Sequence, residues 1–231
     1  YWNKGIEQAP IIVQKCYESV CEYSNQKIIL LNDQNLADYI RLPDYIEKKK
    51  DAGQIPMAGY ADLMRFALLE HYGGTWIDST VYLTEPLPDT ILNSDFFAVR
   101  NSLLLIDNPV LYPAWFLHAK KGNKTIREIR NVAFSYWLKN EHVIEYLLPN
   151  LIITLVVKSN PKVEKAIPYM NSDYSEYLVK VLADDFSEEK WNWIKKLTGI
   201  HKLTYKLDSN INHGYNFYDY LIASSKTKNT K

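Results

Sequence analysis

Three charged side chains stand in the most apolar stretch of the sequence. Asp62 and Arg65 interrupt the first three turns of the run Met57 to Tyr72, MAGYADLMRFALLEHY, and Asp78 follows in Thr75 to Leu83, TWIDSTVYL. Burying ions is costly unless each finds a partner. One reading pairs Asp62 with Arg65, three apart on a helical face, and leaves Asp78 to cap or bridge something nearby. The other gives all three a ligand that carries phosphate and a divalent cation. Asp78 would hold the cation, Arg65 would answer negative charge, and Asp62 would accept hydrogen bonds from hydroxyls.

The elements that must position these groups follow from spacing. Apolar residues surround the axis of Met57 to Tyr72 almost completely, which predicts a mostly buried helix. Gly73 and Gly74 suit its C-terminal stop, and the β-branched and aromatic residues from Thr75 to Leu83 predict one strand carrying Asp78. On such a strand Asp78 and Thr80 would share a face.

These residues resemble a known family. Ala61-Asp62-Leu63-Met64-Arg65, followed by Tyr72-Gly73-Gly74-Thr75-Trp76-Ile77-Asp78-Ser79-Thr80, is similar to the Asp-x-x-Arg and Gly-Gly…Asp-x-Asp motifs of GT-A glycosyltransferases. The nearest likeness is to the capsular polysaccharide synthesis family, related to toxin-type sugar transferases. Weaker similarities lie at Trp2-Asn3-Lys4-Gly5, Ala9 to Cys16, Trp115-Phe116 and His201 to Lys206. The resemblance implies an α/β, GT-A-type, single Rossmann-like domain over residues 1–222, with a mixed, mainly parallel central sheet flanked by helices and a disordered tail at 223–231.

It also implies transfer of a sugar from a nucleotide sugar, a uridine diphosphate sugar being the expected donor, to a hydroxyl of a polysaccharide or lipid-linked oligosaccharide, with retention at the anomeric carbon. No dedicated base is then needed, because the departing phosphate can take the acceptor's proton. Donor contacts are expected from Trp2, Asn32, Asp62, Arg65, Asp78, Ser79, Thr80 and Lys206, with Lys202 an alternative for the diphosphate. Mn²⁺ or Mg²⁺ is expected on Asp78, Thr80 and His213, the last beside Asn212 in a polar loop. The sequence departs from the usual motif at Thr80, which leaves one carboxylate where two are common. Glu145, in the otherwise apolar HVIEYLL, is a third catalytic candidate beside Asp78 and Asp62, or a structural residue. His118, alone in an apolar run, reads as core more readily than as catalyst.

Composition bounds these readings. The chain has 231 residues, enough for one substantial core, and 27 basic against 27 acidic residues, which argues against a nucleic-acid binder built on a basic surface. Cys16 and Cys21 fall on different sides of a predicted helix at Pro10 to Tyr23, so a disulfide between them is not expected. A reducing, cytoplasmic setting fits, and the abrupt start at Tyr1-Trp2 leaves room for an N-terminal anchor or a peripheral membrane association.

Elsewhere the pattern predicts a strand at Lys27 to Leu31 ending in Asn32-Asp33, short helices at Leu36 to Ile40 and Asp44 to Lys50, and a strand at Phe96 to Arg100. It also predicts an amphipathic helix at Lys124 to Lys139, a Ser187-capped helix stopped at Gly199, and a strand at Leu203 to Lys206. Two other classes fit less of the sequence. A haloacid-dehalogenase-like phosphatase would use Asp78 as nucleophile with Lys158 and Asp184-Asp185, and an inactive sugar-nucleotide-binding module would explain Thr80.

Overall fold

The computed structural model describes residues 1–102, 108–206 and 214–223. The chain packs as two compact units. One comprises Tyr1–Asp33, Asp78–Leu87 and Ser172–Lys231, the other Gln34–Ile77 and Pro88–Asn171. Five strands are described: β1 Gly74–Ile77, β2 Val81–Leu83, β3 Phe96–Ala98, β4 Phe116–Ala119 and β5 Ile200–Lys202.

In the second unit β4 runs between β1 and β3, antiparallel to both, with all four of its residues buried. The helix Met57–Tyr72 covers the expected span and buries Leu63, Met64, Phe66 and Leu69, because apolar residues occupy nearly every direction around it. It packs against the helix Lys124–Lys139, whose start is fixed by Asn123: that side chain accepts hydrogen bonds from the backbone of Thr125 and Ile126. The apolar stretch at residues 151–157 lies in a third helix of this unit, Leu148–Lys158. Gly73 ends the first helix with φ 72°, its N–H bonded to the Leu69 carbonyl at 2.9 Å. A Cβ there would stand 2.5 Å from the backbone nitrogen of Lys121, so the strand can return beside β4 only from a glycine.

In the first unit β2 pairs antiparallel with β5. The helix Ile11–Tyr23 packs on β2, and the Ser19 hydroxyl accepts the Leu83 N–H at 2.9 Å. Its apolar face, with Ile12, Val13 and Cys16, joins a core built with Trp191, Ile194 and Phe217. The helix Glu188–Leu197 begins at Ser187, whose hydroxyl accepts the Lys190 N–H, as its sequence predicts. Cys16 and Cys21 are free thiols, and burial pushes the Cys16 thiol up to about 12.

Four expectations are corrected. The strand across Thr75 to Leu83 breaks at Asp78-Ser79-Thr80, where the Val81 N–H bonds back to the Asp78 carbonyl at 3.0 Å. Asp and Ser are turn formers, and here that local chemistry wins over the flanking β-branched residues. Among the described residues the strand of the C-terminal region is Ile200–Lys202 and not residues 203–206. Lys27 to Leu31 does not form a strand; at its end Trp2 N donates to the Leu31 carbonyl and Asp33 N to the Asn3 carbonyl. Both sheets among the described residues are antiparallel; the expected mainly parallel sheet is not among them. No described helix is long and apolar enough to cross a membrane.

Candidate functional site

The turn Asp78-Ser79-Thr80 is the centre of the charged chemistry in the first unit. Register places a lysine on it: Val81 pairs with Lys202 at the end of the β2–β5 ladder, and Leu203 N donates to the Thr80 carbonyl at 2.8 Å. The Lys202 ammonium therefore reaches back over the turn. It donates to the Thr80 hydroxyl and lies 3.5 Å from Asp78 Oδ2, with the Lys202 and Asp78 side chains 23% and 25% exposed. Thr80 is buried and Ser79 half-buried. Asp78 and Thr80 do converge, as the spacing suggested, but through a turn and a shared ammonium and not through one face of a strand.

Sequence reasoning missed Glu176 in this neighbourhood. It sits between two short helices of the same unit, Ser172–Ser175 and Tyr177–Lys180. Burial raises its carboxyl above the usual range, while the positive charges of Lys180 and Lys202 pull it back and Asp173 adds a smaller push upward. Its only sequence signal was an acid in a tyrosine-rich polar segment, which is too common to single out.

The N-terminal residues of this unit supply aromatic surface. Trp2 meets Tyr205 edge to face at 5.4 Å, and Tyr205 is exposed. Asn32 is half-buried beyond Leu31, and Asp33 accepts from the Tyr1 hydroxyl. Lys206 is exposed beyond β5, its N–H turned to the Thr204 hydroxyl; of the two lysines considered for the diphosphate, Lys202 is the one against Asp78. His213 and Asn212 lie outside the described residues.

In the second unit Arg65 and Asp62 pair with each other. Arg65 Nη1 donates to the Ala114 carbonyl at 2.5 Å and lies 3.0 Å from Asp62 Oδ1, and the guanidinium carbon stands 5.0 Å from the centre of the Trp76 ring. Arg65 is 6% exposed, so its first role is to join the helix to the segment before β4 and to fix Asp62. His118 is core: buried in β4, its Nδ1 shares a hydrogen bond with the Thr75 hydroxyl at 2.8 Å, and burial holds its pKa below the usual value. Glu145 is not in an apolar setting. It is exposed on the loop before the helix Leu148–Lys158 and accepts the Leu147 N–H, because Ile144, Tyr146 and Leu147 face solvent with it.

The residues a phosphatase would need are engaged elsewhere: Lys158 with Glu164 at 3.1 Å and Asp184 with Lys190 at 2.7 Å.

Asp78 and Thr80 offer a divalent cation one carboxylate and one hydroxyl, and both face an ammonium. Among the described residues no group of three His, Cys, Asp or Glu could hold a metal. Two unit charges 4 Å apart repel by about 4 kcal/mol at an effective dielectric of about 20, so a dication beside Lys202 would meet roughly twice that. A single carboxylate and one hydroxyl are two of the about six oxygen ligands such an ion takes, so the described residues do not by themselves fit the ion.

Among solved structures the chain is similar to the PaToxG glycosyltransferase, at 12% sequence identity over 68% of this chain and 67% of that one, with a TM-score of 0.46. No curated protein matches it. The family model for capsular polysaccharide synthesis proteins matches residues 1–221, and the chain belongs to that family.

Proposed function

We propose that the chain is a glycosyltransferase that moves a sugar from a nucleotide-activated donor to a hydroxyl of a polysaccharide or its lipid-linked precursor. The observation that carries this reading is the Asp78-Ser79-Thr80 turn with Lys202 drawn over it, in a chain of the capsular polysaccharide synthesis family. A sugar diphosphate leaves as a polyanion, and transfer speeds up where fixed positive charge and donors meet that charge as it develops. A lysine fixed by two side chains and still partly exposed suits that task.

In this reading the base stacks near Trp2 and Tyr205, where aromatic faces and the polar edge at Asn32 are available. The Ser79 hydroxyl serves a phosphate oxygen. A uridine diphosphate sugar and retention of configuration are the finer expectations, supported by the likeness of the motifs. The test is a thermal-shift and transfer screen of nucleotide sugars. A donor selective for the folded state raises the Tm and is consumed in the presence of an oligosaccharide acceptor. Binding without consumption would favour a sugar-nucleotide-binding module, and hydrolysis of an aryl phosphate would favour a phosphatase.

A further inference from the structure

We propose that Lys202 stands where the reaction would otherwise use a divalent cation, so that the donor's diphosphate is bound and its departure stabilised without metal. The inference rests on the nucleotide-sugar reading and deepens it.

Position comes from backbone and not from a flexible reach. The pairing of Val81 with Lys202 and the hydrogen bond from Leu203 N to the Thr80 carbonyl place the Lys202 backbone beside the turn before its side chain is considered. Orientation comes from the ligands a metal would have had. The ammonium has three N–H donors, and Thr80 and Asp78 direct two of them. The third is the one we assign to a phosphate oxygen.

The departure from the two-carboxylate motif then has a reason. A dication needs more than one carboxylate to be held, whereas a single positive charge is balanced by one and oriented by one hydroxyl. Asp78 and Thr80 supply that set at the turn, with the Glu176 carboxyl within electrostatic reach of the same ammonium.

The step balances without a redox partner. The bond between the anomeric carbon and the diphosphate oxygen breaks and its electron pair stays on that oxygen. The acceptor hydroxyl oxygen forms the new bond to the carbon, and its proton passes to the leaving phosphate. Lys202 keeps its proton throughout and acts through charge and hydrogen bonding.

The experiment is calorimetric titration of the full chain with uridine, guanosine, adenosine and thymidine diphosphates, in EDTA and again with Mn²⁺. The expected result is that the preferred nucleotide binds with affinities within about threefold in the two conditions, and that Lys202→Gln binds about tenfold or more weakly in both, with Lys202→Arg recovering part of the loss. Binding by the unaltered chain that requires Mn²⁺ would overturn the role of Lys202 and leave the nucleotide-sugar reading standing. Failure of every nucleotide in both conditions would overturn both. The comparison of EDTA with Mn²⁺ uses no variant, so it decides the question even if Lys202→Gln does not fold.

Discussion

Arg65 Nη1 lies 2.5 Å from the Ala114 carbonyl, 49 residues further along the chain, and the same nitrogen is 3.0 Å from Asp62 Oδ1. A motif arginine is thus a brace between a helix and the segment leading into β4. Removing one partner of a buried pair leaves the other charge uncompensated, which costs about 3–5 kcal/mol. Arg65→Ala is expected to lower the Tm by roughly 10 °C, at 2–4 °C per kcal/mol for a chain of this size. Asp62→Asn keeps the shape but leaves the 6%-exposed Arg65 cation without its carboxylate, and is expected to cost a comparable amount. Melting both variants by circular dichroism checks this; an Arg65→Ala protein as stable as the parent would show that the brace carries no energy.

The double glycine separates two kinds of strain. Gly73 has φ 72° and a Cβ there would collide with Lys121 backbone, whereas Gly74 has φ 97° with nothing within 4 Å. Gly74→Ala should therefore cost only the unfavourable backbone region, about 1–2 kcal/mol. Gly73→Ala adds displacement of the returning chain at the end of β4 and should cost about twice that or more. Chemical denaturation of the pair gives the two values side by side, and equal losses would mean that the contact with Lys121 is relieved at no cost.

How much of this was legible in the sequence depends on which force governs each element. Met57–Tyr72 and Lys124–Lys139 were readable because helical periodicity and a capping Asn123 agree with the packing that followed. The break at Asp78 was not, since β-branched neighbours on both sides outweighed a local turn preference in the pattern; the turn closes on its own Val81 N–H to Asp78 carbonyl bond, and Leu203 N adds a bond to the Thr80 carbonyl from 123 residues away. The same non-local pairing explains why Lys202 could not be preferred over Lys206: only the register of β2 with β5 distinguishes them. For Glu145 the apolar string around it suggested burial, but a surface loop leaves Ile144 77% and Tyr146 75% exposed.

Asp78 provides a separation of stability from chemistry. Its ion pair with Lys202 is partly exposed on both sides, and such pairs contribute at most about 1 kcal/mol. Asp78→Asn should therefore fold with a Tm within a few degrees of the parent. Asp78→Asn leaves Lys202 its charge but removes the carboxylate that fixes it; full loss of an electrostatic contact at a leaving group lowers the rate by roughly 100- to 1,000-fold, and sugar transfer by Asp78→Asn is expected to fall by up to that order. Parallel measurement of Tm and of turnover on the donor found by screening tests both halves. Undiminished turnover would remove Asp78 from the reaction.

His201 ties stability to pH. It is fully buried in β5, its Nε2 shares a hydrogen bond with the Thr84 hydroxyl at 3.1 Å, and burial lowers its pKa from 6.5 to about 4. In the unfolded chain the ring takes its proton near the ordinary value, so between about pH 6.5 and pH 4 the unfolded state binds more protons than the folded one. Stability from the neutral ring is complete above about pH 6.5 and is lost as pH falls towards 4, by up to ~3 kcal/mol. His118, also shifted down by burial, adds in the same direction. Carboxylates contribute their own slope in this range, so the decisive quantity is a difference. The Tm of the parent should fall more steeply than that of His201→Gln between about pH 7 and pH 4, and the two curves should converge at the acid end. Parallel curves would mean that His201 is protonated in the folded chain at no cost, and that its burial does not control the response to acid.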